Sequence, residues 1–146
     1  MNPDEDIRAG AGGRTTATRQ KICFVVTSPF TIRAFMLRHL EALAARYDVT
    51  VIYNPAESPD IALGFDNRIR LIELGIHRPI SLAKDPAVFF ALLRIFRRER
   101  FLAVHTITPK AGLLGQVAAW MARVPFRIHT FTGQVWVTRR GIFRLV

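Results

Sequence analysis

The run Lys21-Ile22-Cys23-Phe24-Val25-Val26-Thr27 constrains this chain more than any other segment. It is continuously apolar rather than alternating, and it holds two adjacent Val residues. Such a strand is buried on both faces, which is the situation of an inner strand in a parallel sheet. Ser28-Pro29-Phe30-Thr31 breaks it, with Thr31 as the expected cap of the next helix. Ile32, Met36, Leu40, Leu43 and Tyr47 then fall on one helical stripe with Phe35 alongside. Asp48–Tyr53 reads as a second strand and Ile69–Leu74 as a third. Asp85 is the expected cap of a helix reaching about Arg100, with Pro86 at its first position. Leu102–Thr106 is a fourth strand. Pro109–Ala122 is a helix with Thr108 as cap, and Phe126–Phe131 is a fifth strand. Five strands alternating with helices predict an α/β fold. Its sheet is parallel and Rossmann-like, with helices on both faces.

In such a sheet, ligands bind beyond the carboxyl ends of the strands. Three hydroxyl-rich segments should meet there: Ser28, Phe30 and Thr31 after strand one; His105, Thr108 and Lys110 after strand four; Thr132, Gly133 and Gln134 after strand five. A helix start offers free N–H groups to a phosphate. A cation in the first turn opposes the helix dipole, so Lys110 implies an anion that offsets it. A solvated Lys110 is the plainer alternative. His129 and Trp136 are expected as packing residues or as ligand contacts. The three segments hold no carboxylate, so neither a carboxylate base nor a metal site is expected from them, and no cofactor.

Charge sharpens the partner. The chain carries 21 Lys and Arg against 11 Asp and Glu, a net +10 over 146 residues, and Glu99 is the only acid from Arg94 onward. This asymmetry calls for an anionic partner: a membrane, a phosphorylated ligand or nucleic acid. Arg94, Arg97 and Arg98 share a helix face one turn from Phe90, which predicts an interfacial membrane contact. No helix-turn-helix or aromatic RNA-binding signature accompanies the charge, so nucleic acid is the weaker partner. The single Cys23 supports neither a disulfide framework nor a cysteine-rich zinc site. No apolar run reaches the ~20 residues of a membrane span, and the N-terminus lacks the apolar core of a secretory signal.

Residues 1–20 are polar and aperiodic and are expected to be a disordered tail, leaving 21–146 as one domain. Gly141 onward reads as a helix that has only begun. The expectation is therefore a domain truncated before a second one, with a cytoplasmic location, peripheral on the inner face of the cell membrane.

Two stretches carry a family likeness. KICFVVTSPFTIRAFMLRHLEALAARYDVTVIYN and VHTITPKAGLLGQVAAWMARVPFRIHTFTGQVW resemble the N-terminal half of family 4 glycosyltransferases, of the bacterial type that builds surface polysaccharides and lipid-linked glycans. The resemblance implies a GT-B fold whose N-terminal domain holds a polyprenyl-diphosphate-linked acceptor. The nucleotide-sugar and a paired-Glu motif would belong to a C-terminal domain that this chain does not include. Alone, it would be inactive. Many members place a His after the fifth strand; Thr132 stands at that position here, so no catalytic residue carries over. The alternatives are a basic Rossmann-like module binding nucleic acid or another anion, or a gene fragment without function of its own.

Overall fold

The computed structural model describes residues 18–57, 67–77, 81 and 84–131. Five strands are present: β1 (Lys21–Val25), β2 (Asp48–Tyr53), β3 (Arg70–Glu73), β4 (Ala103–Ile107) and β5 (Phe126–Thr130). Four helices accompany them: α1 (Pro29–Phe35), α2 (Leu37–Ala44), α3 (Asp85–Glu99) and α4 (Pro109–Met121). The sheet runs β3-β2-β1-β4-β5 and every pairing is parallel. This is the Rossmann-like arrangement expected from the alternation of strands and helices.

The central place of β1 explains its composition. Cys23 and Val25 face one core with Ile52, Val104, Leu92, Phe96 and Ala118. Ile22, Phe24 and Val26 face the other, with Val49, Val51, Ile32 and Leu40. Burial holds the Cys23 thiol well above its ordinary range, so Cys23 is a core residue and not a nucleophile.

Three local expectations are corrected. The helix after β1 is two helices, broken at Met36, whose φ of −123° and ψ of −11° leave the helical region. Ile32 and Leu40 stay buried across the break, so periodicity could not reveal it; Phe35, expected beside the stripe, is 72% exposed. Thr31 does not cap α1, because the helix begins at Pro29 and Thr31 lies inside it. Asp85 lies in the first turn of α3 instead of capping it, and its carboxylate accepts a hydrogen bond from the Ser81 amide at 3.0 Å.

Most of the tail expected over 1–20 lies outside the described residues. Its end is docked: Arg19 donates to the carbonyl of Ala44, and the Gln20 carbonyl accepts from the Asp48 amide at 3.0 Å. At the opposite edge of the sheet from the strand carboxyl ends, Glu99 pairs with Lys21 at 2.9 Å and Arg70 at 3.0 Å, joining α3 to β1 and β3.

Candidate functional site

The strand order reverses between β1 and β4, and a switch point of this kind is where open parallel sheets offer a ligand crevice. Val26, Thr27 and Ser28 follow β1 on one side of this point and are buried. Thr108 and the start of α4 follow β4 on the other. The Thr27 hydroxyl donates to Thr108 Oγ1 at 3.1 Å, bridging the two. Thr108 holds a φ of +89°, which is costly for a β-branched residue. It precedes α4 at the cap position, yet its hydroxyl makes no capping bond, correcting that expectation.

Lys110 is neither solvated nor turned to open solvent. Its side chain is 8% exposed, and its ammonium lies 2.6 Å from Asp85 Oδ1. The anion that offsets a lysine in the first turn of α4 is therefore a carboxylate from the first turn of α3. Both helices run antiparallel to the strands, so both start at the site edge of the sheet. Burial by itself would raise the Asp85 pKa. The hydrogen bond from Lys110, the bond from the Ser81 amide and the Lys110 charge outweigh that and hold it below the ordinary carboxylate value. Sequence reading missed this carboxylate because Asp85 is 25 positions from Lys110 and looked like a cap.

A second polar cluster lies beneath α4. The Gln116 amide donates to Thr106 Oγ1 at 2.8 Å and to the Ile128 carbonyl at 2.7 Å. His129 Nδ1 sits 3.0 Å from the Thr106 carbonyl and 2.9 Å from its hydroxyl. A carbonyl only accepts, so Nδ1 carries the proton in this arrangement. The His129 ring lies against Gly112, where an added Cβ would overlap it. Phe131 meets the same ring edge-on at 4.4 Å between centroids.

His105 is set apart from the crevice. It lies mid-strand on the opposite face of the sheet, against Phe24, with Nε2 2.8 Å from Thr130 Oγ1. Burial, with a smaller contribution from the His129 charge, lowers its pKa below 6.5. The folded protein therefore resists a proton that the unfolded chain takes up as pH falls through 6.5. Stability should decrease as pH drops below that value, and His105→Gln should flatten the slope in urea melts between pH 7 and 5.

The other candidates are placed as follows. Ser28 is buried at the cap position of α1, Phe30 is exposed, and Thr31 is half-buried. Phe90, Arg94, Arg97 and Arg98 are exposed on α3 and, with Leu93, line one shallow cleft of about 480 Å³. Thr132, Gly133, Gln134 and Trp136 lie outside the described residues. Among the described residues no group of three or more His, Cys, Asp or Glu could hold a metal, and no helix is long and apolar enough to cross a membrane.

Comparison with known proteins identifies this architecture. The family model for the glycosyl transferase 4-like domain matches residues 31–145. The chain belongs to that family. Within it, this glycosyl transferase 4-like domain is 30% identical over 138 residues to the Escherichia coli UDP-Gal:alpha-D-GlcNAc-diphosphoundecaprenol alpha-1,3-galactosyltransferase, covering 91% of the chain and 35% of that enzyme. It is 34% identical over 77 residues to the Staphylococcus aureus capsular polysaccharide biosynthesis glycosyltransferase CapM, covering 53% of the chain and 20% of CapM. The domain's fold is similar to part of Acinetobacter baumannii MurG, with a TM-score of 0.54 at 16% identity, over 75% of the chain and 34% of MurG. The glycosyl transferase 4-like domain thus spans about a third of the length of the E. coli relative.

Proposed function

We propose that this chain is the acceptor-side part of a glycosyltransferase that moves a sugar from a nucleotide-sugar to a polyprenyl-diphosphate-linked glycan. The observation that carries the reading is the polar convergence at the β1–β4 reversal: the Thr27 and Thr108 hydroxyls meet at the start of α4, whose first turn holds the Lys110–Asp85 pair. In this proposal the β1–β4 switch point takes the diphosphate and the glycan's first sugar. Ser28, Thr31, Thr108 and Lys110 supply polar contacts and Phe30 an apolar edge, while Thr132, Gly133 and Gln134, which follow β5 in the sequence, are proposed as further polar contacts; His105, on the other face of the sheet, takes no part in this site. The E. coli relative, whose name specifies a diphosphoundecaprenol acceptor, supports this class of ligand.

The nucleotide-sugar needs the remainder of the enzyme that the longer relatives carry. Transfer of this kind depends on holding both substrates in line and stabilising the departing diphosphate. The chain alone is therefore proposed to bind acceptor without turnover. It works at the inner face of the cell membrane, where the α3 arginines and Phe90 meet anionic headgroups.

The test uses neutral vesicles containing undecaprenyl-diphosphate-linked GlcNAc. The chain should sediment with them and not with vesicles lacking that lipid, and a short DNA or RNA duplex should show no salt-sensitive gel shift. Equal sedimentation with and without the glycolipid would remove the reading. Incubating the chain alone with UDP-sugars and this acceptor should give no product; clear turnover would remove the half-enzyme part of it.

A further inference from the structure

Helix α4 has two apolar sides, and among the described residues only one of them is packed against the sheet. Its inner side is built of small residues: Ala111, Gly112, Gly115, Ala118 and Ala119 are buried. On its outer side Leu113, Val117, Trp120 and Met121 follow one another at i, i+4, i+7 and i+8, and all are exposed, Leu113 and Trp120 at 66% each. The two polar side chains of the helix do not interrupt this stripe. Lys110 is turned to Asp85 and Gln116 to Thr106. A helix apolar all round calls for a second apolar neighbour.

The surroundings say which neighbour. Phe90 of α3 borders α4 in a cleft shared with Leu114, and it also borders the arginine-lined cleft of α3. Leu114 neighbours Val117 of the stripe at i, i+3, so the stripe flanks the first cleft on α4 and the arginines flank it on the neighbouring α3. From residue 84 to the end the acids are Asp85 and Glu99 alone. Asp85 is paired with Lys110, and Glu99 with Lys21 and Arg70. A second copy facing this surface would bring arginines against arginines with no acid from this region to separate them. An anionic bilayer instead supplies phosphates for the arginines and acyl chains for the stripe. Tryptophan suits the boundary between those layers.

We infer that α4 is a bilayer-contact helix: its outer stripe enters the interfacial layer of an anionic membrane, with Trp120 at headgroup depth beside the α3 arginines. The α3–α4 side of the sheet then faces the membrane, and the crevice opens along its surface. The inference rests on the membrane-surface part of the proposed function and adds a second element and an orientation to it.

Trp120 is its own reporter. Trp136→Phe leaves Trp120 as the one remaining tryptophan in the chain. Phosphatidylglycerol–phosphatidylcholine vesicles should shift its emission to the blue, and lipids brominated near the headgroup end of the chain should quench it; pure phosphatidylcholine should do neither. Leu113→Ser with Val117→Ser should weaken partitioning by about tenfold or more, and Arg94→Glu with Arg98→Glu by at least as much, with unchanged thermal melts. Vesicle binding that needs the arginines but leaves Trp120 emission unshifted would overturn the α4 inference and leave the α3 reading standing. Absence of any vesicle binding would overturn both. A lipid-free blue shift that grows with protein concentration, together with a dimer mass in sedimentation, would assign the stripe to a second copy and also overturn it.

Discussion

Gly112→Ala should lower stability by about 2–3 kcal/mol, the upper part of what forcing an extra carbon into a packed interior costs, and lower the melting temperature by roughly 10 °C for a domain of this size. The reason is the close approach of α4 to β5. The His129 ring occupies the space a Cβ would need at Gly112, and that ring is anchored through Nδ1 to the Thr106 carbonyl. It cannot swing aside without losing the bond. Removing the ring should therefore relieve the clash: Gly112→Ala with His129→Ala should melt higher than the sum of the two single effects allows. Additive losses would mean that the clash is not with His129. Gly115 offers an independent control. A Cβ there would lie 2.6 Å from Thr106 Cγ2, so Thr106→Ser should rescue Gly115→Ala and leave Gly112→Ala unrescued.

The Lys110–Asp85 pair gives the second large effect. Lys110→Ala strands a mostly buried carboxylate, and the loss should be about 2–3 kcal/mol, somewhat below that for a fully buried pair because Asp85 keeps some solvent. The sign with pH follows from the lowered Asp85 pKa. The pair's contribution is fully present above the ordinary carboxylate value of 3.8 and is lost as pH falls through the lower folded value. Lys110→Ala should accordingly flatten the acid limb of the stability profile. Replacing both partners, as Lys110→Met with Asp85→Leu, should be nearly neutral for folding. That double variant separates the two roles of Lys110. If it melts like the wild type yet no longer sediments with the diphosphate lipid, the pair belongs to the acceptor site. If it binds as the wild type does, the pair only joins α3 to α4.

Both effects arise where distant segments meet, and this marks how far the sequence could be read. The strand at Lys21–Val25 was legible because burial on two faces leaves an unbroken apolar run. Five strands and the parallel sheet followed from the alternation, and Glu99 stood out as the lone acid of a basic half. The two-helix break at Met36 was not legible, because the buried positions keep their spacing across it. The outer stripe of α4 was hidden for the opposite reason: in Ala111–Ala122 nearly every position is apolar, so no period distinguishes an inner side from an outer one.

The site divides in the same way. The amino-acid sequence alone determined which segments follow β1, β4 and β5, since the alternation of strands with helices sets strand direction; the strand order itself came from the tertiary structure. The sequence also carried the family, through long motifs that survive in the order of residues. Only the tertiary structure decided what those segments touch. Asp85 reaches Lys110 because α3 and α4 start at the same edge of the sheet, and His129 reaches Gly112 because α4 packs on small residues. Neither contact leaves a trace in local composition. Charge pairing and steric fit act through space between residues that the backbone brings together only when the sheet has formed.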